Sequence, residues 1–360
     1  MKLKAILSFC AILCASALFA DNWTYFYSEE DSTYKVTDNI WTFKASVSDE
    51  LLTVSEVLDY PTEISMLDFS KPVTDADGNS YTIRTLSPQF AKNKNAWKEF
   101  EAKDAAKYVG ELVLPPEGLK TISAGAFAAC SNLTTVVNFI PDSVTNLGQA
   151  AFSNCVKLNS TLTCRNVSYL DRKVFYACAK LKNVIIGSGV RTISNTYNGQ
   201  GAFQNCTGIT NIVFEADCHD IKLQGYSFEG KINELVLNGV IEVQVNAFSG
   251  MNVKKIVFDD CLEYLSGSVF KNKYPGNLSE VWFMGPPPSK GYSYEFYGKL
   301  DKKITTYVRH KYGDQWVKYS ATGEINYKDT TFSADYVGED YENRLLLWGD
   351  KLLSTTIIIK

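Results

Sequence analysis

The sequence predicts a repeat solenoid in which each coil of about 23 residues contributes one short parallel strand, with β-rich caps at both ends. Two recurring phrases lead to this prediction. The first phrase is a phenylalanine that in four copies has a cysteine three residues later. The phenylalanines are Phe127, Phe152, Phe175, Phe203, Phe228, Phe248 and Phe270, and the cysteines are Cys130, Cys155, Cys178 and Cys206. Because these positions recur in register, we expect both side chains to belong to the structural core.

The second phrase alternates apolar residues and predicts the strand of each coil. In one copy Leu181 is followed by Val184 and Ile186. Further copies begin at Ile209, Ile232, Val253 and Leu278. Such alternation is typical of a strand that buries one face. A single coil cannot cover its own apolar side, so we expect neighbouring coils to stack and supply the cover.

The combined phrase Ala-Phe-x-x-Cys-x-x-Leu-x-x-Val resembles the repeat of the BspA-like leucine-rich-repeat family. The resemblance covers about Tyr81 to Gly285. It implies a leucine-rich-repeat solenoid in a secreted or surface-displayed protein, mainly bacterial, whose characterised relatives bind host matrix proteins or other cells. It also implies that the chain is not an enzyme, because no catalytic activity is associated with the repeat itself.

Residues 1–20 predict a secretory signal peptide. Lys2 and Lys4 precede the apolar run Ala5–Phe19, and the small residue Ala20 stands before a polar segment. The run is too short to span a membrane. The residues before its two cysteines, Leu7–Phe9 and Ala11–Leu13, fit a lipoprotein signal poorly, because a small residue is expected next to the cysteine. We therefore expect export to the cell surface or the medium without a lipid anchor.

Residues 21–66 predict a β-rich N-terminal cap, because aromatic and polar residues alternate there, as at Trp23, Tyr25 and Tyr27. The first coil needs such a cap to cover its open apolar end. The solenoid is expected over residues 67–285. Residues 92–109 lengthen one coil without Gly or Pro, and their apolar stripe predicts an inserted amphipathic helix.

Residues 286–360 are predicted to form the C-terminal capping segment. Three consecutive prolines at 286–288 cannot donate ladder hydrogen bonds and should end the sheet. Apolar runs then predict strands at Ile304–Val308, Leu345–Trp348 and Thr355–Ile359. A short insertion at 196–201 is expected to protrude as a loop.

Composition and charge exclude some classes of partner. The chain has 36 basic and 40 acidic residues, a formal net charge of −4, which favours neither nucleic acid nor an anionic membrane. Seven of the nine cysteines remain after the predicted cleavage, so complete pairing within one chain is impossible. Four of them occupy the repeated position, and we expect packed thiols there rather than disulfides.

Catalytic and metal-binding constellations are not recognisable in the sequence. The two histidines, His219 and His310, have no nucleophile and base at a suitable spacing, so we expect both at the surface. Asp75–Asn79 superficially resembles a calcium loop but lacks the later carboxylate, so a turn is the better interpretation. We expect no metal, no cofactor and no catalytic residue.

The candidate ligand-binding residues are those between the inward apolar positions of each strand. One predicted outward row is apolar: Val113, Val137, Leu162, Ile185, Val213, Val236, Val257 and Trp282. The next is polar: Glu111, Thr135, Ser160, Asn183, Asn211, Glu234, Lys255 and Glu280. An exposed apolar row of this length marks an interaction site. If both faces of the parallel sheet are covered, the row is instead part of the core.

Two functions follow as hypotheses. The first is a secreted or surface-exposed binding protein that holds a protein ligand, such as a host matrix or cell-surface protein, on its strand face. The alternative is a structural component of the cell surface or envelope that self-associates without a dedicated ligand. A degradative enzyme is disfavoured because no catalytic set appears.

Overall fold

The computed structural model describes residues 22–93, 100–194, 200–266, 269, 277–289 and short segments at 305–308, 312, 315, 334–336, 344–345 and 357–359. The predicted signal peptide, His310 and Phe270 lie outside the described residues, as does most of the predicted loop at 196–201.

The N-terminal region closes into a ring of six strands. The first seven strands are β1 (Trp23–Ser28), β2 (Thr33–Thr37), β3 (Thr42–Ser48), β4 (Leu51–Asp59), β5 (Ser65–Asp68), β6 (Val73–Thr74) and β7 (Ser80–Leu86). Strands β1 to β4 form an antiparallel meander, β4 pairs with β7, β7 with β6, and β6 with β1. Trp23, Trp41 and Phe43 fill the inside and are fully buried. The sequence predicted a β-rich cap here but not the closure of its strands into a ring.

The ring takes two strands from beyond residue 66, where the sequence placed the end of the cap. Alternation in residues 21–59 predicted the meander, but β6 is two residues long and carries no periodicity. Its pairing depends on contacts between distant parts of the chain, which a local pattern cannot report. The domain boundary at 66/67 stays a prediction.

The remaining strands follow the repeats. They are β8 (Ala91–Asn93), β9 (Phe100–Ala102), β10 (Val109–Val113), β11 (Thr121–Ile122), β12 (Thr135–Val137), β13 (Asn146–Leu147), β14 (Leu162–Cys164), β15 (Tyr169–Leu170), β16 (Asn183–Ile186), β17 (Thr192–Ile193), β18 (Asn211–Phe214), β19 (Ile221–Leu223), β20 (Gly230–Leu237), β21 (Val240–Val243), β22 (Met251–Phe258), β23 (Tyr264–Leu265), β24 (Glu280–Phe283), β25 (Thr305–Val308), β26 (Ala334–Tyr336), β27 (Arg344–Leu345) and β28 (Ile357–Ile359).

Most repeats contribute two short strands, and strands of successive repeats pair in parallel. The first row holds β5, β10, β12, β14, β16, β18, β20, β22, β24 and β25, and its ladder is interrupted after β12 and after β18. The second row holds β7, β11, β13, β15, β17, β19, β21 and β23, interrupted after β13. The chain is therefore strand-rich with parallel sheets, as predicted. The predicted strand at 304–308 is confirmed by β25.

The segment predicted as an amphipathic helix at 92–109 is not one in its described part. It contains the antiparallel pair β8–β9 and a short 3₁₀ helix, Asp104–Tyr108. The helical stripe was a weak signal, because Ala105 and Ala106 supply the buried contacts of the 3₁₀ turn and neither belongs to that stripe.

The recurring phenylalanines stack on one another. Ring centroids of Phe90, Phe127, Phe152, Phe175, Phe203 and Phe228 follow at successive separations of 6.0, 5.2, 5.9, 5.2 and 5.1 Å. The five from Phe127 to Phe228 are fully buried, as is Phe248. The predicted burial of these six residues is therefore confirmed. Each offset-stacked pair adds about 0.5–1.5 kcal/mol to the burial of the rings.

Three of the four repeat cysteines are hydrogen-bonded to the phenylalanine of the preceding repeat. The thiols of Cys155, Cys178 and Cys206 donate to the main-chain carbonyl oxygens of Phe127, Phe152 and Phe175, at 3.3, 3.2 and 2.9 Å. These three cysteines and Cys130 are fully buried, and none of the four forms a disulfide. Burial raises the pKa of the Cys130 thiol. A small soft donor thus suits this position.

Candidate interaction surface

The outward-pointing side chains of the first row, in the three ladder segments described above, form a surface that we call the strand face. Strand residues alternate between core and surface, so the residue between two buried positions points outward. In β18, Ile212 and Phe214 are buried whereas Val213 is 41% exposed. Val137 is 46% and Val236 36% exposed. Their register leaves these apolar side chains open to solvent.

The other predicted apolar positions of the strand face are half-buried. They are Val113, Ile185, Val257 and Trp282. The ladder pairs Ile185 with Val213 and Val257 with Trp282, so neighbouring members lie side by side. Among the described residues, seven of the eight predicted apolar positions therefore point outward, and the ladders place them side by side in three groups.

Leu162 is the exception, and its placement is a correction. The side chain is fully buried and pairs in register with Val184, a core residue. Four positions separate Leu158 from Leu162, whereas three separate Leu181 from Val184. One extra residue in a strand moves every following side chain to the other face. Thr163 therefore holds the outward position, beside Ile185.

The same extra residue displaces Ser160 from the polar row. Its hydroxyl accepts a hydrogen bond from the main-chain nitrogen of Val136 at 2.7 Å. This side chain thereby satisfies a strand nitrogen where the ladder between β12 and β14 is interrupted. Thr161 is exposed and directly precedes the buried Leu162, just as Asn183 directly precedes the buried Val184. Thr161 is therefore the residue equivalent to Asn183. Comparing the Leu158 and Leu181 spacings in the sequence would have found both threonines.

The polar row runs beside the apolar one. Glu111, Thr135, Asn211 and Glu234 are exposed, and Asn183, Lys255 and Glu280 are half-buried. Successive members pair in register across the ladders: Glu111 with Thr135, Asn183 with Asn211, and Glu234 with Lys255. The strand face therefore offers hydrogen-bonding groups along one edge and apolar groups along the next.

Charge is concentrated at the C-terminal part of the strand face. The Lys255 ammonium lies 2.9 Å from a Glu234 carboxylate oxygen and 4.9 Å from the centre of the Trp282 ring. The Trp282 indole donates to Glu280 at 3.1 Å. These contacts hold the tryptophan in place, and a held aromatic side chain is the type of residue that dominates binding energies in protein interfaces.

Residues considered for chemistry lie apart from one another. His219 is exposed and contacts Arg191, with 2.8 Å between their ring and guanidinium nitrogens. The Asp75 carboxylate accepts hydrogen bonds from Asn79 and from the Tyr81 hydroxyl, and these lower the pKa of Asp75 to about 2. The described residues contain no cluster of metal-ligating side chains. Within the same residues, no helix is long and apolar enough to cross a membrane.

Several solved structures resemble the chain. A leucine rich cell surface protein from Faecalibacterium prausnitzii is 15% identical, with a TM-score of 0.47 and 71% of each chain covered. The pneumococcal vaccine antigen PcpA is 12% identical, with a TM-score of 0.34 and coverage of 79% of this chain and 95% of that one. A leucine-rich repeat protein from Bacteroides ovatus is 16% identical, with a TM-score of 0.29 and coverage of 68% and 75%.

No curated protein sequence matches the chain. The family model of the BspA type leucine rich repeat region matches six copies, over residues 108–222 and 194–279. These residues contain the phenylalanine stack from Phe127 to Phe228, the thiol hydrogen bonds and most of the strand face. The repeat region of this chain therefore belongs to the BspA-type leucine-rich-repeat family.

Proposed function

We propose that this chain is a secreted or surface-exposed leucine-rich-repeat protein whose repeats form a solenoid and whose strand face holds a protein ligand. One observation supports the proposal above the others: apolar side chains lie open to solvent along the first row. Val137, Val213 and Val236 are each more than a third exposed. Exposed apolar patches mark interaction sites, and this row is therefore the reason to assign a binding role to the strand face.

The proposed ligand is a protein because the surface is broad and carries both kinds of contact. The apolar row would bury against the ligand, and the polar row would satisfy hydrogen bonds at its rim. Trp282, held by Lys255 and Glu280, would serve as an anchor. We further propose that the ligand is a host matrix or cell-surface protein, that the chain is exported through residues 1–20, and that it binds rather than catalyses.

Binding to immobilised matrix proteins tests the proposal. The variant Val213→Asp/Val236→Asp places two charges on the strand face, and we expect it to lose at least about tenfold in affinity for whichever matrix protein the unmodified chain binds. Val156 is 39% exposed but lies in a turn outside the strand face, so Val156→Asp is the matched control. If both variants bind equally well, the strand face is not the binding surface.

Self-association is the second candidate, and one structural feature counts against its simplest form. The free edge of the first row is β5, where a second copy would add a strand. The indole nitrogens of Trp23 and Trp41 donate to the carbonyl oxygens of Asp68 and Met66 along that edge, at 2.6 and 3.0 Å. Mass measured from low to high concentration separates the two candidates, because a binding protein stays monomeric without its ligand.

A further inference from the structure

The N-terminal ring carries a second surface, separate from the strand face, that we call the tyrosine end. It consists of four tyrosine side chains whose rings contact one another in the order Tyr27, Tyr34, Tyr25 and Tyr81. The rings of Tyr25 and Tyr34 stack at 5.5 Å, and Tyr25 contacts Tyr81 at 5.0 Å. Tyr27 and Tyr34 are 50% and 49% exposed. Tyr25 and Tyr81 are half-buried, so the exposed part of this surface is the paired rings of Tyr27 and Tyr34.

Strand pairing places the tyrosines at one end of the ring. Tyr27 and Tyr34 are directly paired across the β1–β2 hairpin, and Tyr81 pairs with Val73 next to β1. The β1–β2, β3–β4 and β6–β7 turns all lie at this end, because β1, β3 and β6 run in the same direction. The tyrosine end is therefore bordered by three turns.

The three turns are strongly acidic. They carry Glu29, Glu30, Asp31, Asp49, Glu50, Asp75 and Asp77, and none of their residues is basic. All of these except the half-buried Asp75 are exposed. Residues 22–90 contain twelve acidic and four basic residues, whereas the whole chain has 40 and 36. The negative charge of the chain is thus concentrated in the ring, and most densely at the tyrosine end.

The carboxylates and rings are held in place by their contacts. The Tyr81 hydroxyl donates to Asp75 at 2.7 Å, and the Lys35 ammonium holds Asp31 at 2.8 Å. Asp49 and Glu50 both adopt positive φ, at 51° and 61°, a conformation that an Asn-Gly pair would adopt with less strain. Charged residues thus occupy positions where glycine would be the easier choice for folding.

We propose that the tyrosine end binds a lysine- or arginine-rich segment of a partner protein. Cations are attracted to the faces of aromatic rings, and each exposed pair contributes a two- to fivefold gain in affinity, or about 0.5–1 kcal/mol. The surrounding carboxylates add long-range attraction that speeds encounter and weakens with salt. A neutral or acidic segment would gain neither contribution. Charge complementarity thus selects a basic occupant.

Titration with a nona-arginine peptide tests the proposal at two salt concentrations. Tyr27→Ser/Tyr34→Ser keeps every charge, and we expect it to weaken binding about tenfold. Asp49→Asn/Glu50→Gln keeps every ring and should weaken binding to a similar extent. The control Asp59→Asn/Glu63→Gln removes two carboxylates of the same region away from these turns and should change binding less than twofold. Unchanged circular dichroism verifies that each variant is folded.

Three results would overturn the proposal. If the tyrosine variant binds as well as the unmodified chain, the rings play no part and the peptide adsorbs by net charge. If all carboxylate variants weaken binding equally, the attraction is diffuse. If sedimentation without peptide shows self-association that Tyr27→Ser/Tyr34→Ser abolishes, the occupant is a second copy of this chain.

Discussion

The indole nitrogen of Trp41 donates a hydrogen bond to the main-chain carbonyl oxygen of Met66, 3.0 Å away. This contact joins the inside of the ring to the edge strand of the repeats. Replacing Trp41 by Phe keeps an aromatic ring but removes the donor. We expect the free energy of unfolding in urea to fall by about 0.5–1.5 kcal/mol, because the hydrogen bond of a fully buried indole is lost.

The Trp282→Phe variant is the matched control, because its indole, which bonds to Glu280, is only half-buried whereas that of Trp41 is fully buried. Water can replace that bond, so we expect a loss below about 0.5 kcal/mol. If both variants lose the same amount, the Trp41 hydrogen bond does not secure the edge of the first row.

Replacing Cys178 by Ala tests the thiol hydrogen bonds within the phenylalanine stack. The change removes both the bond to Phe152 and the volume of a buried sulfur. We expect a loss of about 1–2 kcal/mol in the free energy of unfolding. Cys261 is half-buried and lies 3.6 Å from its acceptor, so Cys261→Ala should lose less than half as much. Similar losses would mean that the repeated position is not special.

Leu162 and Thr163 test the corrected register of the strand face. Leu162 is fully buried whereas Thr163 points outward. We expect Leu162→Asp to cost at least about 3 kcal/mol, because an unpaired charge would enter the core. Thr163→Asp should cost less than about 1 kcal/mol. Thermal unfolding of both variants decides the matter, and the opposite order would restore the register in which Leu162 faces outward.

The residue before each repeat cysteine offers a way to stabilise the chain. Ala129, Asn154, Ala177 and Asn205 all have positive φ, between 59° and 64°. Asn tolerates this conformation better than Ala does. We expect Ala177→Asn to raise the free energy of unfolding by about 0.5–1 kcal/mol and Asn154→Ala to lower it by a similar amount. Changes of the same sign in both variants would contradict this explanation.

The pair formed by Asp75 and Tyr81 predicts a pH dependence. Hydrogen bonds from Asn79 and Tyr81 lower the pKa of Asp75 from 3.8 to about 2. The ionised carboxylate therefore stabilises the fold above about pH 4, and this contribution is lost as pH falls towards 2. We expect Asp75→Asn to make stability less dependent on pH in that window, as measured by urea unfolding at several pH values.

The same variant should change the titration of Tyr81. The Asp75 carboxylate raises the pKa of Tyr81 to about 12. Without the carboxylate, we expect the pKa of Tyr81 to fall towards 10.0, which NMR of labelled tyrosine can follow. If the pKa of Tyr81 stays near 12 in the variant, a group other than Asp75 raises it.

Much of the repeat region could be predicted from the sequence because its contacts are local and recur. The position of Phe175 in the core follows from its recurrence, and so does the outward placement of Val213. Leu162 was predicted on the wrong face of the sheet because one additional residue precedes it in its repeat. The place of a residue within the repeat predicts its face only when the spacing is unchanged.

The closed ring could not be predicted for a different reason. Its closure depends on β6, which is two residues long and pairs with strands both near and far in the sequence. Likewise the tyrosine end combines residues of the three strands β1, β2 and β7, which no periodic pattern links. The alternation of Tyr25 and Tyr27 predicted strands but gave no sign of which rings would meet.

Strand β7 gives the molecule a polarity. Its first residues pair with β6 inside the ring, and on the same side its last residues pair with β11 of the second row. The second row therefore begins on a strand that is itself held by β4 and β6 of the ring. We expect the β7–β11 pair to be lost when β7 is removed, whereas later pairs of the row depend on their own neighbours. Fragments that begin after residue 90 would have to start that row without a seed.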